Sequence, residues 1–344
     1  MYHIPQHTTY IAICNTGIVK KDLKRDFGII FFHKLDSALS YLKPDAVILS
    51  TPPFNRMKDL KVCAKFKLPI LVEKPLTINL DEAKRQIAFM NRHKLLLFVG
   101  LNFRYLPTTL GKIKLLNSGK VGKSNFAKFV YERWRDGKLA RLNKYPLHMK
   151  HPMLWEQSIH HFDLIRFVYK SNVKKVFATT SNPPWSMYKH DTNVNAILEL
   201  QNGIIVNYIG NWQSNCKSLN FEWRTDCSKG IVIQKKQFDD LNYSTSNQLK
   251  LKKIKLKKFT MWIDDANALL SNFINSINDK KNVLKINKDH LNSLSIVDAC
   301  IKSSKTGKKI SIKNNFSASD FWHAIYSVWM CHHFDFLIAC LMLV

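Results

Sequence analysis

Two groups of residues in this chain carry types and spacing suited to chemistry. The first is Glu73-Lys74-Pro75, entered from the apolar run Pro69-Ile70-Leu71-Val72. A short apolar run of this kind reads as a buried strand, and the proline stops it, so the Lys74 ammonium is aimed past the strand end with Glu73 as counter-charge. An aimed lysine can hold a developing oxyanion; the same three residues also suit an ordinary strand-end ion pair. The second group is Glu156, His160 and Asp163. Spacings of four and three put all three on one face of a helix, where Asp163 would orient the His160 imidazole and Glu156 would complete an acid–base unit. A helix histidine with local carboxylate partners is the plain alternative. His161 lies one residue out of phase and reads as a neighbour lining the pocket.

The elements that must position these groups alternate. Helical segments at 35–39, 54–67 and 79–93, the last beginning at Asn79, separate the apolar strands 46–50, 69–72 and 95–99. Such alternation predicts a parallel sheet covered on both faces, with ligands at the carboxyl ends of its strands. From about residue 123 the pattern changes to strands at 125–131, 175–180, 195–200, 204–210 and 230–234, interrupted by helices at 152–169 and 262–278. This predicts an α+β domain with an open, mostly antiparallel sheet. The expected organisation is therefore a dinucleotide-type α/β domain over 1–122, the α+β domain over 123–315, and an apolar tail over 316–344.

Five segments carry a resemblance: KPDAVILSTPP at 43–53, VEKPLT at 72–77, GLNFRYLP at 100–107, EQSIHHFDLIRF at 156–167, and the Ala299–Gly307 stretch leading to the strand 309–312. In this order they resemble the Gfo/Idh/MocA group of glucose–fructose oxidoreductases and inositol dehydrogenases. The resemblance implies a Rossmann-type domain that binds NAD or NADP, and hydride transfer from a CH–OH group of a sugar or cyclic polyol. It implies that Lys74 and His160 flank the substrate carbinol, with Glu156 in place of the more usual aspartate. It places cofactor contacts at Asn15, Thr51, Pro52, Glu73, Lys74 and Asn102, and substrate contacts at Arg104, Asp163 and His161. A homo-oligomer through the second-domain sheet is also implied.

The family's glycine-rich phosphate turn is missing. No G-x-G occurs in the 344 residues. The strand 9–14 fits the second strand of a dinucleotide fold, so the first strand, turn and helix are truncated away, and in the order 3-2-1-4-5-6 the missing strand is central. The expectation is a sheet with a gap at its centre. Asn15 stands where such folds place an acidic ribose ligand, and Arg56 where many relatives carry histidine. An alternative reading is a catalytically inactive remnant that keeps a sugar-binding or subunit-pairing surface.

Composition sets outer bounds. A chain with 46% hydrophobic and 23% charged residues can build two globular domains. The net charge of +28 invites a nucleic-acid partner. The lysines are spread along the chain, however, and no aromatic-basic binding motif accompanies them, so no nucleic-acid partner is expected. The densest run, LKLKKIKLKKF, alternates as one half-exposed strand would. Seven cysteines without a C-x-x-C pair predict reduced thiols in a cytoplasmic protein, and no metal site is expected, Cys331-His332-His333 included. The N-terminus shows no secretory pattern. The apolar tail is interrupted by Asp335 and three histidines, which argues against a membrane span; it is expected to be dispensable to the fold.

Overall fold

The computed structural model describes residues 8–14, 30–140, 142–246, 248, 250–313 and 336–341. The chain forms two compact units, one of residues 1–102, 262–291 and 320–344, the other of residues 103–261 and 292–319.

The first unit is built on a parallel sheet. Strands β1 (Thr8–Cys14), β2 (Ile30–Phe32), β3 (Ala46–Leu49), β4 (Ile70–Val72) and β5 (Leu97–Val99) are joined by a sixth, the C-terminal strand Phe336–Leu341. The order is β2, β1, C-terminal strand, β3, β4, β5. Helices α1 (Leu35–Leu42), α2 (Arg56–Lys65) and α3 (Leu80–Arg92) alternate with the strands. Asn79 caps α3, its side chain accepting from the Glu82 N–H at 2.9 Å, as the residue type at that position requires. Ala46, Leu71, Leu96 and Phe98 of the sheet region bury against Leu270, Phe273 and Val283. The helix Asp264–Asn278 that supplies two of these belongs to this unit and not to the α+β domain where the sequence pattern placed it.

The gap expected at the centre of the sheet is filled. The C-terminal strand pairs parallel with β1, Thr8 against Phe336 to Ile13 against Cys340, and with β3, Ile338 against Ala46 to Leu341 against Leu49. Residues 336–341 of the tail, expected to be dispensable to the fold, therefore form a central strand. The physical reason is in its composition: a parallel strand covered on both faces wants a near-continuous apolar run without proline, and FLIACL is one.

The second unit carries a nine-stranded sheet. In chain order its strands are β6 (Ser124–Glu132), β7 (Val173–Ser181), β8 (Asn193–Leu200), β9 (Ile205–Asn211), β10 (Asn220–Cys227), β11 (Gly230–Gln234), β12 (Leu241–Thr245), β13 (Lys252–Lys253) and β14 (Ile310–Ser311). They lie in the order 13-12-11-10-6-9-8-7-14. Every pair is antiparallel except β6 with β9. Helix α4 (Pro107–Asn117) belongs here, which moves the boundary from the expected 122/123 to 102/103. The cause is packing: Lys112 is fully buried over the Trp223 ring at 3.7 Å and donates to the Trp223 carbonyl at 3.1 Å. The lysine-rich run is a ladder strand only at Lys252–Lys253. Helix α5 (Ile159–Tyr169) is preceded by π-helical turns over Met153–Ser158.

Candidate functional site

In the first unit, the Glu73 N–H donates to the Leu49 carbonyl at 2.8 Å, extending the β3–β4 ladder one residue past β4. Lys74 follows, half-buried, its N–H donating to Glu73 Oε2 at 3.1 Å. The residue that fixes this exit is Arg56. Only 1% exposed, it sits at the start of α2 and its guanidinium donates to the carbonyls of Glu73 at 2.5 Å, Pro75 at 2.6 Å and Leu76 at 3.1 Å, and also to that of Thr51. One planar fork thus ties the turn after β3 to the turn that bears Lys74. The Leu76 N–H donates to His290 Nε2 at 3.4 Å, anchoring the same turn from its far side. Arg56, which stands where many relatives carry histidine, is a buried clamp.

The remaining cofactor candidates divide. Thr51 is buried and Pro52 half-buried at the exit of β3. Asn102 follows β5, and its amide donates to Asp265 Oδ2 at 2.5 Å. Asn15 lies outside the described residues, as does Cys331-His332-His333. Thr51, Lys74 and Asn102 thus stand just past the carboxyl ends of β3, β4 and β5, the edge at which such sheets bind ligands. This edge fits the reactive end of a dinucleotide. For its pyrophosphate the 344 residues offer no glycine-rich turn, and no glycine follows Gly307 in the sequence.

In the second unit, His160 is 7% exposed on α5 and stacks on Phe103, the ring centroids 4.3 Å apart and 22° from parallel. Asp163 does not serve His160 as orienter. Its Oδ2 accepts from Arg104 Nε at 2.6 Å, and its Oδ1 accepts from Arg104 Nη2 and from Ser293 Oγ at 3.1 Å, with Arg166 Nη1 3.5 Å away. Arg104 and Asp163 are 7% and 1% exposed. They form an internal bidentate pair. Both residues, expected at the substrate, lie in this buried pair.

His161, also expected at the substrate, is buried. It is enclosed by Phe129, Tyr131 and Tyr208, with ring nitrogens bonded to Gln157 at 3.1 Å and to the Tyr208 hydroxyl at 2.9 Å. Burial holds its pKa down at about 3, so it is neutral. Glu156, half-buried, accepts from the Tyr145 hydroxyl at 2.8 Å. The π-helical turns explain why simple spacing misjudged this region. A π-turn holds more residues than an α-turn, so a face drawn at 3.6 residues per turn through residues 156, 160 and 163 is rotated. Among the described residues no group of three or more histidine, cysteine or carboxylate side chains could hold a metal.

A parallel sheet with a clamped lysine at its carboxyl edge, and a separate open-sheet unit carrying a buried helix histidine, define the class by fold: a Rossmann-type domain with an appended α+β domain. Residues 1–101 match the model of an oxidoreductase family with an NAD-binding Rossmann fold, and residues 113–233 match the GFO/IDH/MocA C-terminal domain. The chain belongs to the Gfo/Idh/MocA family. It is 29% identical over 135 residues to an oxidoreductase of Bacillus subtilis named YrbE, covering 39% of this chain and 38% of that protein. It is 28% identical over 138 residues to myo-inositol 2-dehydrogenase of Thermotoga maritima, covering 40% of each. The matches thus span about two-fifths of the length of these relatives. Among solved structures, an oxidoreductase from Agrobacterium radiobacter in complex with NAD+, L-tartaric acid and magnesium superposes with a TM-score of 0.72 at 17% identity, covering 88% of this chain and 90% of that one.

Proposed function

We propose that this chain is an NAD(P)-dependent oxidoreductase acting on a CH–OH group of a sugar or cyclic polyol, with dinucleotide binding weakened by the missing phosphate turn. The observation that carries the reading is the Arg56 clamp, which spends a buried guanidinium on holding the Lys74 turn in one shape. A bound nicotinamide supplies the hydride acceptor. Thr51, Pro52, Glu73 and Asn102 are the residues assigned to holding it, and Asn15 its ribose. His160 takes the hydroxyl proton. Lys74 stabilises the developing alkoxide in its charged form. Glu156 is assigned to holding the local electrostatics of the histidine helix. The relative named myo-inositol 2-dehydrogenase supports a cyclic polyol as first substrate to test.

Two further features fit this assignment. Phe177 and Ile197 are directly paired in the β7–β8 ladder and remain 39% and 44% exposed, an apolar patch on the open sheet that supports pairing of two copies through this face. Cys63, Cys216, Cys227 and Cys300 are free thiols, as a protein of the reducing cytoplasm would carry. No helix among the described residues is long and apolar enough to cross a membrane.

The absence of any G-x-G favours a second reading, a cofactor-free protein that retains only sugar binding or subunit pairing. The deciding experiment measures NAD and NADP binding by calorimetry, and turnover of myo-inositol and a sugar panel at dinucleotide concentrations above the measured dissociation constant. The oxidoreductase reading expects turnover that falls about 10²–10⁴-fold in both Lys74→Ala and His160→Ala. Saturable polyol binding with no turnover at any dinucleotide concentration would establish the second reading instead.

A further inference from the structure

The lysine-rich segment after β12 forms a feature that the proposed chemistry does not use. It walls a cleft of about 740 Å³ in the second unit, within the range of small-molecule sites. Along the segment, burial alternates. Ile254 and Leu256 pack against the cluster of Leu115, Val121, Val232 and Leu241, while Lys253, Lys255 and Lys257 remain exposed along the cleft. The packing is tight: a Cβ built on Gly111 would lie 3.0 Å from Leu256 Cδ2. The lysine backbone is therefore fixed by the core, and an exposed lysine recurs at every second residue of this wall of the cleft.

The rest of the lining is largely apolar, with Phe238, Phe259 and Met261 beside the lysines. Its one carboxylate is Asp239, and among the described residues none of the three lysines is ion-paired. The lining thus joins concentrated positive charge to flat apolar surface. It also lies one ring from the proposed base: Phe238 meets Phe103 edge-on at 5.9 Å, and Phe103 stacks on His160 at 4.3 Å.

From this juxtaposition we infer that the cleft binds an oxyanion carried on an apolar or aromatic group, as in a phosphate ester or an aryl carboxylate, and that it receives the end of the substrate remote from the carbinol. The second clause rests on the oxidoreductase reading; the first does not. Ammonium groups supply charge-assisted hydrogen bonds to the oxyanion, and the phenylalanines take the flat group by stacking. A neutral sugar satisfies only part of such a lining. The competing account is that lysines on and just after β13, an edge strand, merely keep the sheet edge from pairing with other chains.

The test titrates phenyl phosphate, benzoate, inorganic phosphate and phenyl glucoside into the full chain by calorimetry without dinucleotide. Phenyl phosphate or benzoate should bind saturably, at least about tenfold tighter than inorganic phosphate or phenyl glucoside, with affinity that falls as salt rises. Whichever of the two acids binds tighter identifies the oxyanion as phosphate or carboxylate. The triple variant Lys253→Gln/Lys255→Gln/Lys257→Gln should weaken that binding at least about tenfold, as should Phe238→Ala, while His160→Asn should leave it unchanged. Unsaturable binding, or equal affinity in the triple variant together with increased self-association, overturns the inference in favour of edge protection. Lysine-dependent binding in a chain that turns over neither neutral polyols nor their phosphate esters and aryl-carboxylate conjugates at saturating dinucleotide would refute the oxidoreductase reading and leave the binding cleft standing.

Discussion

Removing residues 336–344 tests the most consequential feature of the fold, a C-terminal strand at the centre of a parallel sheet. That strand makes four registered residue pairs with β1 and four with β3. At a net value of about 1 kcal/mol for each backbone hydrogen bond, one per pair, its loss removes on the order of 8 kcal/mol. The whole stability of a domain is only about 5–15 kcal/mol. Deletion also opens the flank of β3, whose Ala46, Val47 and Leu49 are fully buried, and leaves β1 and β2 as an isolated pair, which is marginal in water. The first unit should therefore lose cooperative structure. Native-state hydrogen exchange reads this directly: the amides of β3 should exchange faster by a factor on the order of 10⁴ or more, at about 1.4 kcal/mol per decade, while those of β8 in the second unit keep their protection. A synthetic peptide spanning 321–344, added in trans, should restore protection in β3. Unchanged β3 exchange in the truncated chain would refute the strand's central role.

Three other outcomes follow from the buried polar groups. Arg56→Met keeps bulk but abandons four carbonyls, so unfolding by urea should show a loss of at least about 3 kcal/mol; a loss under about 1 kcal/mol would disprove the clamp. Asp163→Asn leaves Arg104 buried without its carboxylate and should destabilise by about 3–5 kcal/mol, most of which the double variant Arg104→Met/Asp163→Leu should recover; equal stability of the single and the wild type would remove Asp163 from the framework. His161 has a folded pKa of about 3, depressed below the unfolded value of about 6.5, so the unfolded state binds the extra proton. Its stabilisation is whole above about pH 6.5 and is lost as pH falls toward 3, at up to about 1.4 kcal/mol per pH unit. His161→Gln should flatten the acid limb of the stability profile over that window, and an unaltered slope would show that another group controls it.

What was legible in the sequence was local. The apolar runs that become β3, β4 and β5, the Asn79 cap, and the placing of Lys74 just past β4 all depend on neighbours a few residues away. The rest depended on distance along the chain. Arg104 finds Asp163, 59 residues on, and nothing in either flank announces the pair. Arg56 reaches carbonyls 17 to 20 residues later, and a carbonyl leaves no mark in a sequence. His161, read from its phase as a neighbour lining the pocket, is sealed in an aromatic cage whose members Phe129 and Tyr208 lie 32 and 47 residues away in sequence.

The first strand of a dinucleotide fold answers two separate demands, and this chain separates them. The sheet needs a near-continuous apolar strand between its two halves, since without one it has two unpaired edges. The ligand needs something different: a glycine turn and a helix N-terminus that bring backbone N–H groups to the pyrophosphate. The strand Phe336–Leu341 meets the first demand, in parallel register on both sides. It cannot meet the second through a G-x-G, because the 344 residues contain none. Folding and dinucleotide affinity should accordingly respond to different residues. A substitution such as Ala339→Pro, which removes a strand donor, should lower the stability of the first unit, whereas Lys74→Ala should leave stability intact and act only on turnover.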